Sequence, residues 1–277
     1  MSSKNETLIT AGKSALHYWK EIFRSKELFW ILAKRDIMVR YKQAVLGIAW
    51  SVLRPLLTAF VMVFAFGKIA KLETETAIPY MLIVMPGVIV WLFFSQSLQQ
   101  ISSSILINAN LVSKVYFPRL IIPFSSFLVG LLDAVIAFIL FIILCIWYQF
   151  VPSWHIIFAP FFLLLGYFAA FGLGLILAVL NVRYRDIAQI IPFVIQFGYF
   201  ASPVPYSTDM VMNKPWYKIF ILNPVTGAID GMRWCLLGEN AAFNWDSFIP
   251  CVIFVVVSCF IAIKLFRKNE NSFVDYI

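Results

Sequence analysis

The chain is poor in charge and nearly devoid of histidine. Of its 277 residues only 13% are Asp, Glu, Lys or Arg, and two are His, where soluble domains carry about a quarter charged residues. With a hydrophobic share of 62%, this excludes a soluble globular domain and points to an all-α integral membrane protein. At about 20 apolar residues per crossing, the length holds several helices and short loops, with little room for a separate soluble catalytic domain.

Groups for catalysis and metal binding are missing as well. His17 and His155 stand far apart, in no metal or triad pattern. Cys145, Cys235, Cys251 and Cys259 form no CxxC pair and no Cys/His cluster at zinc-ligand spacing. They read as small apolar packing residues. TLITAGKS, residues 7–14, imitates the end of a phosphate-binding loop, but Thr7 stands where the first glycine belongs and no strand precedes it. No metal, no cofactor and no ATP hydrolysis by the chain itself are therefore expected. The positive balance, 22 Lys and Arg against 14 Asp and Glu, suits anionic lipid headgroups and orientation in a membrane rather than nucleic acid.

Residues 1–44 are charged and hold no uninterrupted apolar core of the kind a signal peptide needs. Leu16, Trp19, Ile22, Phe23, Leu28, Phe29 and Leu32 recur there at helical spacing. That pattern fits a helix lying on a membrane surface, and equally one packed on a partner. A transmembrane domain over 45–266 follows, with apolar stretches from Val45 to Gly67, Ile78 to Ile101, Leu120 to Tyr148, Ile156 to Leu180, Ile187 to Pro205 and Phe248 to Phe266. Arg54 is tolerated near one end of the first, where it reaches the headgroups. Six spans and a tail over 267–277 put both termini on one side.

Cations identify that side. Ten Lys and Arg up to Arg54, two in the hinge around residue 114, two at Arg183 and Arg185 and three in the tail share one face; Lys68, Lys71, Lys214, Lys218 and Arg233 remain for the other. The richer face is expected to be cytoplasmic. The fifth stretch is irregular, since Ile187 to Ala201 is too short for a straight crossing and contains Pro192. Residues 202–240 alternate apolar fragments with Pro, Gly and single charges, as in re-entrant short helices dipping back from the outer face, or in an ordinary outer loop with one interfacial helix.

Asp133 lies well inside the third stretch, where a carboxylate is functional by default; it could pair with a cation, face a wet cavity or shuttle protons. Gly166, Ala170, Gly174 and Ala178 place small side chains on one ridge of the fourth, so another helix can approach. Trp91, Trp147, Tyr148, Trp154, Tyr206, Trp216, Tyr217 and Trp245 gather near stretch ends as an interfacial belt. Tyr199, Phe200, Tyr206, Trp216 and Tyr217 could instead line a passage in which rings stack on sugar faces.

RDIMVRYKQAVLGIAWSVLRPLL (35–57), LVSKVYFPRLIIP (111–123), LNVRYRDIAQIIPFVIQFGYFASPVPY (180–206) and LNPVTGAIDGMRWCLLG (222–238), in this order, resemble the permease subunits of type-2 ABC exporters of surface polysaccharides such as O-antigen, capsule and teichoic acid. The resemblance implies an inner-membrane homodimer of six-span subunits on two copies of a separate ATPase that binds ATP and Mg, moving a polyprenol-linked polysaccharide, O-antigen first among the candidates. It implies an interface helix over 28–42 with Phe29, Lys34, Arg35, Asp36, Arg40 and Tyr41. A coupling helix from Asn108 to Tyr116, broken by Pro118, would carry Asn108, Asn110, Leu111, Val112, Lys114 and Tyr116. Arg183, Arg185 and Asp186 would form an inner mouth. Outer gate helices over 202–238, broken at Asn223 and Pro224, would line the glycan path with Tyr199, Phe200, Pro203, Tyr206, Trp216 and Tyr217. A type-2 ABC permease for drugs or other lipids is the alternative within transport, and a polyprenyl-lipid membrane enzyme the alternative outside it.

Overall fold

The computed structural model of the chain describes residues 15–42, 47–69, 78–270 and 272–276. The imitation phosphate loop at 7–14 and the Val45 start of the first stretch lie outside them. The described residues are mostly helical, with short turns between helices and without strands. Two helices, α1 (Ala15–Arg24) and α2 (Lys26–Lys42), precede the first long element, α3 (Ala49–Met62), which continues as a π-helical segment to Ile69. Then come α4 (Tyr80–Ile107), the short α5 (Ala109–Lys114), α6 (Ile121–Trp147), and α7 (Ala159–Arg183), entered through a 3-10 turn at Trp154–Phe158. The chain closes with α8 (Ile187–Phe200), a single-turn α9 (Tyr217–Phe220), α10 (Thr226–Leu237), α11 (Trp245–Asn269) and α12 (Phe273–Tyr276).

Five of these elements are long and apolar enough to cross a membrane: Ala49–Ile69, Tyr80–Ile107, Ile121–Trp147, Trp154–Arg183 and Trp245–Asn269. The chain is a multi-pass membrane protein. The fifth apolar stretch, expected to run to Pro205, forms only the 14-residue α8. At 1.5 Å per residue it reaches roughly 21 Å, short of a 30 Å hydrocarbon core. Its helix ends where Ser202, Pro203 and Pro205 turn the chain inward and become buried.

α4 outruns its expected end at Ile101 because its polar C-terminal third remains helical. There Ser102 and Ser103 donate hydroxyls to Gln99 O and Ser104 to Ile101 O, so hydroxyls that would otherwise compete with the backbone are satisfied inside the helix.

α4 is the central strut, packed against α7, α6, α10, α3 and α8, while α11 packs on α7. Lipid tails are as apolar as the side chains, so helix association here rests on close fit. The small-residue ridge of α7 supplies it. A Cβ on Gly166 would stand 3.2 Å from Val90 and one on Gly174 2.8 Å from Ile101, both on α4. The same seam carries a buried bond from Asn181 Nδ2 to Ser102 O, 3.1 Å.

Candidate functional site

The carboxylate inside α6 is paired. Asp133 lies twelve residues beyond Ile121, about 18 Å along the helix. It accepts from Arg40 Nη2 at 2.5 Å, from the Tyr41 hydroxyl at 2.7 Å and from Ser51 Oγ. Arg40 also donates to Gln96 Oε1 at 3.0 Å. Four elements meet here: the last turn of α2, the start of α3, the middle of α4 and α6. Charge-assisted bonds are the strong ones where water is scarce, so this cluster fixes α2 to the membrane domain. Of the expected interface-helix residues, Phe29 packs half-buried on the core, Lys34 is exposed, Arg35 bonds its neighbour Asp36 at 2.7 Å, and Arg40 and Tyr41 turn inward. The helix begins at Lys26, two residues before the expected 28.

At the hinge the expected short helix is present but stops early. α5 ends at Lys114, with Val115 extended at φ −127°, so the helix is finished before Pro118 and does not include Tyr116. Asn108 is buried and donates Nδ2 to Ser104 O at 2.8 Å, and Val112 is buried. Asn110, Ser113 and Lys114 are exposed, Leu111 is half-buried and Tyr116 is 60% exposed. The tail holds this hinge from behind. Arg119 N donates to Glu270 Oε1 at 2.8 Å, α12 packs on α5 and α7, and Phe273 buries its ring against Phe266 at 5.1 Å. The Arg267 guanidinium lies 4.8 Å from the Tyr18 ring, bringing α1 into the same assembly. Burial pushes the Glu270 carboxyl above the ordinary glutamate range, against the opposing pull of the Arg119 backbone N–H and the Arg119 and Arg267 charges.

Arg183, Tyr184, Arg185 and Asp186 are all exposed between α7 and α8, with the Arg183 guanidinium 5.7 Å from the Tyr276 ring. The proposed outer gate is one 12-residue helix, α10, preceded by single turns at Thr208–Val211 and Tyr217–Phe220, rather than a pair of comparable helices. Asn223 and Pro224 lie in the non-helical turn between α9 and α10. Asn223 Nδ2 donates to Ala201 O and Ser202 Oγ, at 3.1 and 2.9 Å, and its Oδ1 accepts from Val225 N at 3.1 Å.

The expected glycan-path aromatics divide. Phe200 and Trp216 are exposed, Tyr206 and Tyr217 half-buried and Pro203 buried. Tyr199 packs edge-on against Trp91 at 5.7 Å. Trp91, placed in the interfacial belt by its position, is 4% exposed and belongs to the core between α4 and α8. Trp147, Trp154, Trp216 and Trp245 are exposed. His155 is a packing residue, its ring between Trp154 and Trp234 at 4.2 and 4.3 Å and its Nδ1 2.6 Å from Ser153 Oγ.

One polar centre was misplaced by position in the sequence. Arg233, expected among outer-loop cations, is 3% exposed inside α10. Its Nε donates to Ile83 O at 3.1 Å and its Nη2 to Val204 O at 2.9 Å. Asp230, one turn earlier, accepts from Thr208 Oγ1 at 2.7 Å and Ser247 Oγ at 2.8 Å, with Arg233 Nη1 at 4.0 Å. The Tyr80 hydroxyl closes the set on Pro205 O. The centre ties α10 to the starts of α4 and α11 and to the turn after α8. The only signal in the sequence was an i, i+3 acid and base within a helix-length segment.

These features define a multi-pass helical membrane protein with a charged cluster inside the bundle, a short exposed helix at one end and a buried polar helix at the other. The profile of the ABC-2 type transporter family matches residues 27–237, so the chain belongs to that family. It is a permease, a transport subunit rather than an enzyme, whose ATPase is a separate subunit. The O-antigen export system permease protein RfbA of Klebsiella pneumoniae is 27% identical over 258 residues, 91% of this chain and 95% of the relative. RfbA of Myxococcus xanthus is 25% identical over 259 residues, 93% and 98% of the two chains. The polysialic acid transport protein KpsM of Escherichia coli is 22% identical over 256 residues, 86% and 92%.

Proposed function

We propose that this chain is the membrane-spanning half of an ATP-driven exporter of lipid-linked surface polysaccharide, of the O-antigen kind named for its relatives. Two copies form the passage in the inner membrane, with both termini cytoplasmic, and two copies of the ATPase hold the ATP and Mg. The glycan moves between the protomers past Phe200, Tyr206, Trp216 and Tyr217, with the lipid anchor left in the bilayer. Six crossings per subunit count α8 together with the buried turn after it.

The observation that carries this reading is α5. It follows directly on the longest helix of the bundle and exposes Asn110, Ser113 and Lys114 while anchoring itself through buried Val112 and the Asn108 amide. A short helix gripped on one side and bare on the other is suited to sit in a cleft of an ATPase and pass its closure into α4 and α6. The Arg40–Asp133 pair gives α2 a second grip on α6. Exposed Arg183, Arg185 and Asp186 border the inner entrance.

Deleting the gene and measuring polyprenol-linked glycans by mass spectrometry, in cytoplasmic and outer-face fractions, tests the reading. Finished polymer accumulating inside, as in a strain with an inactive ATPase, is the expected result. Polymer that still reaches the surface with nothing accumulating refutes the cargo and favours a drug or other lipid.

A further inference from the structure

Two cavities meet at the side chains of Arg40, Arg54 and Gln96. One, of about 410 Å³, opens between α2, α3, α4 and α6 and is lined by Trp50 and Asp133 as well. The other, of about 440 Å³, continues toward α8 and is walled by Gln99, Gln100 and Gln196. Each falls within the ~300–1,000 Å³ of ordinary ligand sites.

The charges here do not cancel. Asp133 accepts from Arg40, Tyr41 and Ser51 and is thereby committed to Arg40. Arg54 remains, and among the described residues it has no ion pair or hydrogen bond. A guanidinium in an otherwise apolar helix requires an anion or the headgroup layer. Its depth fits an anion at that level: Arg54 is five residues beyond Ala49, about 7.5 Å from the start of α3. Gln96 receives Arg40 on its Oε1, and its Nε2 is buried without a hydrogen-bond partner. A buried donor left unmade is costly unless something outside the chain accepts from it.

One free guanidinium, an unfilled amide donor and three further glutamine amides within a single groove match a phosphate joined to a hydroxyl-rich group. Guanidinium pairs phosphate through parallel N–H bonds, and amides both donate to and accept from sugar hydroxyls. We propose that this groove holds the phosphate, and the first sugar, of a lipid-linked glycan, with Arg54 as its ion-pair donor and Gln96 as its hydrogen-bond donor. The assignment rests on the export reading for its lipid; the anion site itself rests on the groove.

The test is binding, without transport, by the permease–ATPase complex in nanodiscs. The probes are a polyprenyl pyrophosphate, the uncharged polyprenol and phosphatidylglycerol, with affinity read by native mass spectrometry. The intact complex is expected to retain the pyrophosphate and not the polyprenol. Arg54→Gln should weaken retention at least tenfold, Arg54→Lys should restore part of it, and Gln96→Leu should weaken it several-fold, each variant eluting as the intact complex. Arg54→Gln is suited to this test because it breaks no bond among the described residues. Unchanged retention in Arg54→Gln overturns the site. Equal retention of phosphatidylglycerol, lost together with the pyrophosphate in Arg54→Gln, keeps an anion site but overturns the glycolipid assignment in favour of bulk lipid. If Arg54-dependent pyrophosphate binding holds while gene deletion causes no glycan to accumulate, the export reading fails and the site stands.

Discussion

Asp133 and Arg40 lie 93 residues apart in sequence and share one ion pair at partial burial, with side-chain exposures of 16% and 30%. An exposed pair contributes about 0–1 kcal/mol, whereas breaking a fully buried one costs about 3–5 kcal/mol. Asp133→Asn is expected to cost about 2 kcal/mol in this intermediate setting, with most of the loss arising from the arginine left unpaired. Thermal unfolding of the purified complex should therefore show Arg40→Gln/Asp133→Asn less destabilised than the sum of the two single changes; additive losses would contradict the pairing. Glu270 contributes a pH-dependent share of the stability. Burial raises the folded-state pKa of Glu270 above its ordinary value of about 4.5, so the native state holds this proton more tightly than the unfolded chain. Stability from this group is thus fullest below about pH 4.5 and is lost as pH rises through the folded pKa. Glu270→Gln keeps an acceptor for the Arg119 N–H. The wild-type-minus-variant stability difference should fall with rising pH above 4.5 and then level off, and a rising difference would refute this. The need of Asp133 for a partner was legible in the sequence, because a carboxylate cannot stand alone in an apolar helix. Arg40 as that partner was not, since no local pattern spans 93 residues.

Among the elements, the α4–α7 seam depends on the absence of side chains. Gly174→Leu would drive new atoms into Ile101, which already stands 2.8 Å from where a Cβ would sit. Overpacking of this kind costs about 1–3 kcal/mol, and a lowered melting temperature of the permease in detergent would report it. This ridge was readable from its four-residue spacing. α5 was legible in place but not in extent. Pro118 was expected to stop it, yet the backbone is already extended at Val115, three residues earlier, because buried Phe117 and the Arg119–Glu270 bond pull the chain onto the tail. In α10 it was the burial of the charges that was not legible: the segment read as short re-entrant helices or an outer loop, and only carbonyls from Ile83 and Val204 make a buried arginine tenable. Lys114→Glu on the exposed face of α5 leaves its buried contacts alone. Export should drop at least tenfold while the purified ATPase alone hydrolyses ATP at its usual rate; export at the wild-type rate would remove α5 from the coupling role.

For the molecule as a whole, the proposed topology follows the cation count, and the five full-length spans agree with it only when the short α8 is counted as a crossing. Lys42, Lys114, Arg183, Arg185 and Lys268 lie at or beyond the ends of α2, α5, α7 and α11 that the proposed cytoplasmic face would share, and the tail meets α1, α5 and α7 there. The sequence reading of six crossings exceeds the five full-length spans among the described residues, since hydropathy alone could not separate the short α8 from a full span. Apolar surface on α3, α8 and α11 is exposed in the single chain, and the proposed second protomer and lipid would cover it. The proposed assembly of permease and ATPase moves a glycan. The direct measurement is ATP-driven transfer of a labelled polyprenyl-linked oligosaccharide across proteoliposomes containing the permease and its ATPase, read as protection of the label from an external glycosidase. Protection that grows with ATP and is absent with a catalytically inactive ATPase is the predicted result. ATP hydrolysis without any ATP-dependent protection of the label would contradict it.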